Sequence, residues 1–382
     1  MSKKADKQPV RAIVPKETAG ADLLPKPTLA DFENRQLSLF QTFLANTDEQ
    51  RDSLSNAVDL WDSVPRYSVS RQAMTKARIN DRFLEKHETT FQHRGRTYTR
   101  TVFPARVTDS DGVDRDYYPS GGEELVEDAL RKIAIDQQAG FFDKPNYRSG
   151  VSFTLYALRE ELQKRGHTRS YQEIVQSLNI LSQCVVDIRP NDGNAGEGLV
   201  RSACLPALAA VSRNKLREDP KARWMVQFHP LVTGSIDQVT YRQFNYHLMM
   251  SHSTQLARWL HKQLVLKYTF AHHLKPFDMR YSTVKRDSGL LDEYARGRKG
   301  IEKLEAAFRE LVERGVLLSF KREDVTGPRG KILDVNFILQ PHSNFISEAK
   351  AANKRQGDDQ QKPVGIGGGS RQKPVGIGGT SR

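Results

Sequence analysis

The chain has 382 residues, a hydrophobic fraction of 37% and a formal charge of +13. That length suits two domains with real cores, while a mean hydropathy of −0.62 leaves part of the chain as solvated tail or linker. The cationic excess favours polyanions as partners. No apolar run approaches the roughly 18 residues of a spanning helix and none follows the basic N-terminus as in a secretory signal, so nucleic acid is favoured over a membrane and the expected location is the cytoplasm.

Residues 1–64 are expected to be a disordered segment: Lys, Pro and Ala dominate the first thirty, and acids such as Asp31, Glu33, Asp59 and Asp62 dominate the rest. Within it, Leu37, Leu39 and Phe40 are large apolar side chains with nothing nearby to bury them, and such a cluster awaits a partner. Gln36, Leu37, Ser38, Leu39 and Phe40 match the QL(S/D)LF pentapeptide that bacterial replication proteins insert into the sliding-clamp groove. Leu39 and Phe40 would fill the apolar pocket and Gln36 would hydrogen-bond at its mouth. The competing reading is the amphipathic start of a docked helix.

From Arg66 the charge changes sign, which marks a segment boundary. FQHRGRTYTRTVF (91–103) alternates around Gly95 and predicts a hairpin. Helices are predicted over 123–135, with Leu125, Ala129 and Ile133 inward; over 153–166, with Thr154 as N-cap and Gly166 as stop; and over 169–183, where Ser170 and Glu173 form a capping box. Strands at 184–188 and around 199–205 flank a turn-rich tip. This order predicts a first winged-helix domain over 65–232.

A second winged-helix domain is predicted over 233–342. Helices at 253–270 and 282–289 precede the clearest helix in the chain, 298–315, where Ile301, Leu304, Phe308, Leu311 and Val312 share a face and Gly315 ends it. Strands at 316–321 and 332–339 enclose a basic turn. Residues 343–382 are expected to be a flexible basic tail, closing on the tandem repeat QKPVGIGGGSR–QKPVGIGGTSR. The predicted fold class is therefore α+β: two tandem winged-helix domains between disordered N- and C-terminal tails.

A winged helix places its last helix in the major groove and its wing beside the phosphates. Tyr294, Arg296, Arg298 and Lys299 stand at the start of helix 298–315, with Lys303 one turn on, whereas Glu302, Glu305, Glu310 and Glu313 lie further along. A helix N-terminus favours phosphate, and arginine there can read guanine. Lys285 and Arg286 could flank the groove, and Lys321, Arg322, Arg329 and Lys331 make the wing basic. In the first domain Arg165, Arg169 and Gln172 are weaker candidates for DNA contact, with a dimer surface as the competing use.

The pattern resembles the TrfA-type, RepA-like plasmid replication initiators. The resemblance covers roughly 64–340 and rests on QLSLF at 36–40, SRQAM at 70–74, GGEELVEDAL at 121–130, FTLYALREEL at 153–162, YQEIVQSLNIL at 171–181 and RKGIEKLEAAFRELVERG at 298–315. It implies binding to repeated double-stranded origin sites (iterons), opening of an AT-rich segment with exposure of single-stranded DNA, recruitment of host initiator, helicase and sliding clamp, copy control, and a monomer–dimer equilibrium. The runner-up is a winged-helix transcriptional regulator. An enzyme is not expected: there is no GxxxxGK(S/T) loop and no histidine pair flanking an apolar residue as a rolling-circle nickase needs. No catalytic residue, metal ligand or cofactor is assigned. Cys184 and Cys204 are expected to be reduced thiols, and neither sits in a CxxC.

Overall fold

The computed structural model describes residues 52–136, 139–191, 199–211, 222–294 and 297–361. It is a mixed helix-and-sheet protein with antiparallel strand pairing throughout these residues.

The first part opens with β1 (Leu54–Val58), a 3-10 turn (Trp61–Ser63) and α1 (Arg71–Ala77), whose first turn is capped by the Ser70 hydroxyl accepting from Ala73 N at 3.1 Å. The predicted hairpin is β2 (His87–His93) and β3 (Arg96–Phe103). Its turn uses Arg94 and Gly95 at φ +49° and +79°, the left-handed pair that suits the twist of a two-residue hairpin. A second hairpin, β4 (Ala105–Thr108) and β5 (Asp114–Tyr117), precedes α2 (Gly121–Asp136). Then follow β6 (Gly140–Asp143), β7 (Arg148–Thr154), α3 (Leu155–Lys164), α4 (Tyr171–Gln183), β8 (Val185–Pro190), β9 (Val200–Ala203), β10 (Ala207–Val211) and β11 (Arg223–Gln227). Thr154 and the Ser170–Glu173 box cap α3 and α4 as their sequences require. Two four-stranded sheets result, ordered β2-β3-β8-β9 and β10-β11-β7-β6.

The second part contains α5 (Pro230–Asp237), β12 (Tyr241–Asn245), α6 (Tyr246–Met250), α7 (Gln255–Lys267), β13 (Phe277–Arg280), α8 (Tyr281–Ser288), α9 (Gly297–Glu313), β14 (Leu317–Thr326) and β15 (Ile332–Pro341). Gly289 closes α8 in the left-handed region at φ +64°. The sheet order is β13-β15-β14, and Phe308 of α9 packs its ring 5.5 Å from Phe320 and 5.0 Å from Phe337.

Two expected boundaries are corrected. The segment from 343 is not all tail: Ser343–Gln361 forms a helix, α10. Phe345, Ile346, Ala349 and Ala352 are buried along one stripe of it, and Asn353 accepts from Arg242 at 2.7 Å while donating to Thr269 O at 2.8 Å. That stripe is narrow and two of its members are alanines, so the polar composition hid it. Nor is 52–64 tail. Trp61 is fully buried and β1 pairs with β12 from Leu54↔Asn245 to Val58↔Tyr241. The N-terminal strand thus belongs to a sheet whose other half lies beyond residue 232, and the division at 64/65 does not separate structural units. The remaining N-terminal segment and the tandem repeat after Gln361 lie outside the described residues.

Candidate nucleic-acid interface

Helix α9 buries Leu304, Ala307, Phe308 and Leu311 and leaves Arg298, Lys299 and Lys303 exposed. Its first turn approaches α8 closely. A Cβ built at buried Gly300 would overlap the Tyr281 hydroxyl, so glycine is required for Tyr281 to sit against the helix start. Arg298 Nε is 3.1 Å from Glu302 Oε1 while the arginine side chain remains 91% exposed. An ion pair that open holds the guanidinium only weakly.

The chain turns after α9, and β14 runs back beside it. Arg322 records the alignment: it donates to Glu305 at 3.1 Å and to Asp324 at 2.6 Å. From that contact, four more strand residues advance about 13 Å, and the eight helix residues back to Gly297 cover about 12 Å. The outer end of the β14–β15 ribbon is therefore level with the cationic start of α9. There Arg329 and Lys331 are exposed and form no ion pair among the described residues, whereas Lys321 is paired with Glu323 at 2.7 Å.

The other expected residues separate. Lys285 is half-buried, and Arg286 Nε donates to Asp287 Oδ1 at 2.7 Å. Asp287 also accepts from Gln92 N of β2 at 3.0 Å, so this end of α8 is tied to the first hairpin. Tyr294 packs partly into the core. Arg296 and the pentapeptide Gln36–Phe40 lie outside the described residues. Arg165 is corrected from a DNA contact to an internal tie: its side chain is 1% exposed, and it bonds Glu161 at 2.8 Å, the Asp52 carbonyl at 2.9 Å and His247 Nδ1 at 2.8 Å. Partners 113 and 82 residues away are invisible to local pattern. Arg169 lies at the start of α4, 3.5 Å from Glu173, and Gln172 is exposed. Next to them, Gln176 donates to Asp109 at 3.0 Å because the β4–β5 hairpin packs on α4. The start of α4 is thus less open than that of α9.

Sequence reasoning missed a buried charged cluster where α2 meets α7. Asp62, Glu124, Glu127 and Asp128 face Arg66, Arg131 and Lys262, all buried. Arg131 grips Asp62 at 2.8 and 2.9 Å and Asp128 at 2.6 Å. Lys262 of α7 reaches Asp128 at 2.6 Å and Glu124 at 3.3 Å. Glu127 accepts from Trp61 at 2.6 Å, from Arg66 at 3.0 Å and from Tyr67. Burial alone would raise the Asp62 and Glu127 carboxyls, but Arg131 beside Asp62 and Arg66 beside Glu127 hold both below the usual carboxylate range. Burial opposes the charge on Lys262, and Asp128 with Glu124 more than restores it. The acids of EELVEDAL were legible as helix-start charges; their burial depends on cations brought in from α7 and the N-terminal strap.

Among the described residues no group of three or more His, Cys, Asp or Glu could hold a metal ion, and no helix is long and apolar enough to cross a membrane. Cys184 and Cys204 are both free and buried.

No known protein family matches the chain, and no curated protein does so. Among solved structures, the chain is similar to domains 2 and 3 of RctB in two crystal structures. The identities are 12% and 11% and the TM-scores 0.47 and 0.45, over 78% and 77% of this chain and 99% of each of those chains. It is also similar to the Pi initiator protein in complex with iteron DNA, at 10% identity and a TM-score of 0.40, over 63% of this chain and 98% of that one.

Proposed function

We propose that the chain is a plasmid-type replication initiator of the TrfA and RepA kind that binds repeated origin DNA and acts by binding rather than catalysis. Two winged-helix units form its body. In the second, α7, β13, α8, α9, β14 and β15 follow in the order helix, strand, helix, helix, strand, strand. In the first, α2, α3 and α4 precede β8 and β9. The observation that carries DNA binding is the shared level of two cationic groups. Arg298, Lys299 and Lys303 at the start of α9 would meet the major groove, and Arg329 and Lys331 at the wing end would meet the adjacent backbone. Carboxylates are absent from the first turn of α9 and populate its later turns, as in Glu302, Glu305, Glu310 and Glu313.

Replication rather than repression is favoured by QLSLF at 36–40, since a repressor has no use for the sliding clamp. On this reading the protein opens an AT-rich segment, recruits clamp, helicase and host initiator, and exchanges between monomer and dimer.

The test uses Arg298→Ala combined with Lys299→Ala on the direct repeats flanking the gene. The slope of log affinity against log salt is expected to shrink by about 0.9 for each phosphate contact removed. An unchanged slope would mean these cations do not meet DNA, and flanking DNA without direct repeats would favour a regulator.

A further inference from the structure

The wing ends in apolar side chains that nothing among the described residues covers. On β15, Val335, Phe337 and Leu339 face the core. Leu333 is 64% exposed and stands where the register slips, since Val325 pairs with Asp334 and Thr326 with Ile332. On either side of it Ile332 and Val325 are 45% and 37% exposed. The tip thus exposes three large apolar side chains.

Its backbone is fixed. Gly327 N donates to Lys331 O at 2.8 Å, Gly330 N to Gly327 O at 3.2 Å, and Leu333 lies so close to Gly327 that an added Cβ would meet Leu333 Cδ1 at 2.8 Å. Arg329 holds a left-handed φ of +61° at the apex beside Pro328.

The charge around this tip is one-sided. Glu323 is neutralised by Lys321 and Asp324 by Arg322. Asp334 accepts from Ser282 N at 3.1 Å and Ser282 Oγ at 2.6 Å, capping α8. Arg329 and Lys331 remain as unpaired cations among the described residues, flanking Pro328, Ile332 and Leu333.

We infer that this tip is a wedge for the DNA minor groove, where Ile332 and Leu333 press against base edges and unstack a step while Arg329 and Lys331 hold the two phosphate walls. The inference rests on the DNA-binding reading above. The charge selects a polyanion, and the exposed apolar side chains select an occupant with stacked, separable surfaces. The minor groove is about 6 Å wide. Strands of a ribbon lie about 4.8 Å apart before side chains are counted, so the tip enters only by widening the groove. Apolar wedges of this kind kink and unstack duplex DNA, and flexible TA steps yield most easily.

The full chain is incubated with a relaxed closed-circular plasmid carrying this gene and its flanking DNA, topoisomerase I is added, and the linking number is read after deproteinisation. The wild type is expected to lower it in proportion to bound protein. Ile332→Ser with Leu333→Ser, both exposed and free of core packing, is expected to keep duplex binding in gel shift and lose at least half of that change. Leu333→Ala alone gives an intermediate loss. A serine variant that binds and retains the full change overturns the wedge, as does a wild type that self-associates without DNA through these two residues and leaves the linking number unaltered. Failure of the wild type to shift the plasmid at all would instead overturn the DNA-binding reading itself.

Discussion

Replacing Lys262 by Met keeps most of the side-chain volume and removes one charge from the cluster joining α7 to α2. Lys262 is fully buried, with Asp128 at 2.6 Å and Glu124 at 3.3 Å. After the change Asp128 keeps Arg131 at 2.6 Å, but Glu124 retains only the Gln255 amide at 3.0 Å. A buried carboxylate is left without a counter-ion, and breaking a buried pair in this way costs about 3–5 kcal/mol. Against a typical total of roughly 5–15 kcal/mol that is a large share. Urea denaturation at pH 7, followed by tryptophan fluorescence and far-UV dichroism, should show the midpoint falling by about 1–2 M for a slope near 3 kcal/mol/M. Because Lys262 spans the two parts, the transition should also broaden or split. Adding Glu124→Gln to Lys262→Met should recover part of the loss, since the stranded charge is gone. A Lys262→Met protein within about 1 kcal/mol of wild type, outside the loss expected for a broken buried pair, would refute the view that this cluster holds the parts together.

Three further outcomes are expected. Gly300→Ala should destabilise by about 1–3 kcal/mol, the range for overpacking, and weaken duplex binding by moving the start of α9; adding Tyr281→Phe should restore part of both, and a neutral Gly300→Ala in thermal melts would contradict the close approach. Acid should weaken the fold before the carboxylates titrate: burial pushes His229 down to about 3 and His252 to about 4, both below the ordinary 6.5. The unfolded chain therefore binds protons first, so the stability from these neutral rings is complete above about pH 6.5 and lost as pH falls toward those values, at up to about 1.4 kcal/mol per unit for each ring. Melts at pH 7 and pH 5 should differ by a few kcal/mol, less so in His252→Gln, and equal stability at the two would refute it. Finally, Leu39→Ala with Phe40→Ala should abolish sliding-clamp pull-down with duplex binding intact; undiminished pull-down would remove the case for replication over repression.

Features that act over a few residues are legible in the sequence. Caps and stops at Thr154, Ser170, Glu173 and Gly166 act within one or two helical turns, and the Arg94–Gly95 turn closes its own hairpin. The inward faces of α2, α3, α4 and α9 follow from spacing alone. What escaped depends on partners distant in sequence: β7 finds β11 across α3, α4, β8, β9 and β10, β1 finds β12, and Arg165 finds Asp52 and His247. The same limit applies to the site. The cations of α9 were legible because charge segregation lies within one helix, while the tip at Ile332 and Leu333 is marked by its exposure, which depends on the pairing of β14 with β15.

The pairing of β1 with β12 also sets a timetable for synthesis. The strand at Leu54–Val58 leaves the ribosome roughly 180 residues before its partner, an interval of about 10–40 s at 5–20 residues per second. Glu124 and Asp128 likewise wait for Lys262, which follows them by 138 and 134 residues. The first part is thus born with an unpaired strand and with Glu124 lacking its lysine partner, and it matures only when the second part arrives. A fragment ending near residue 232 inherits that unfinished state permanently, so the two halves are bound into one folding event whatever the symmetry of their element order suggests.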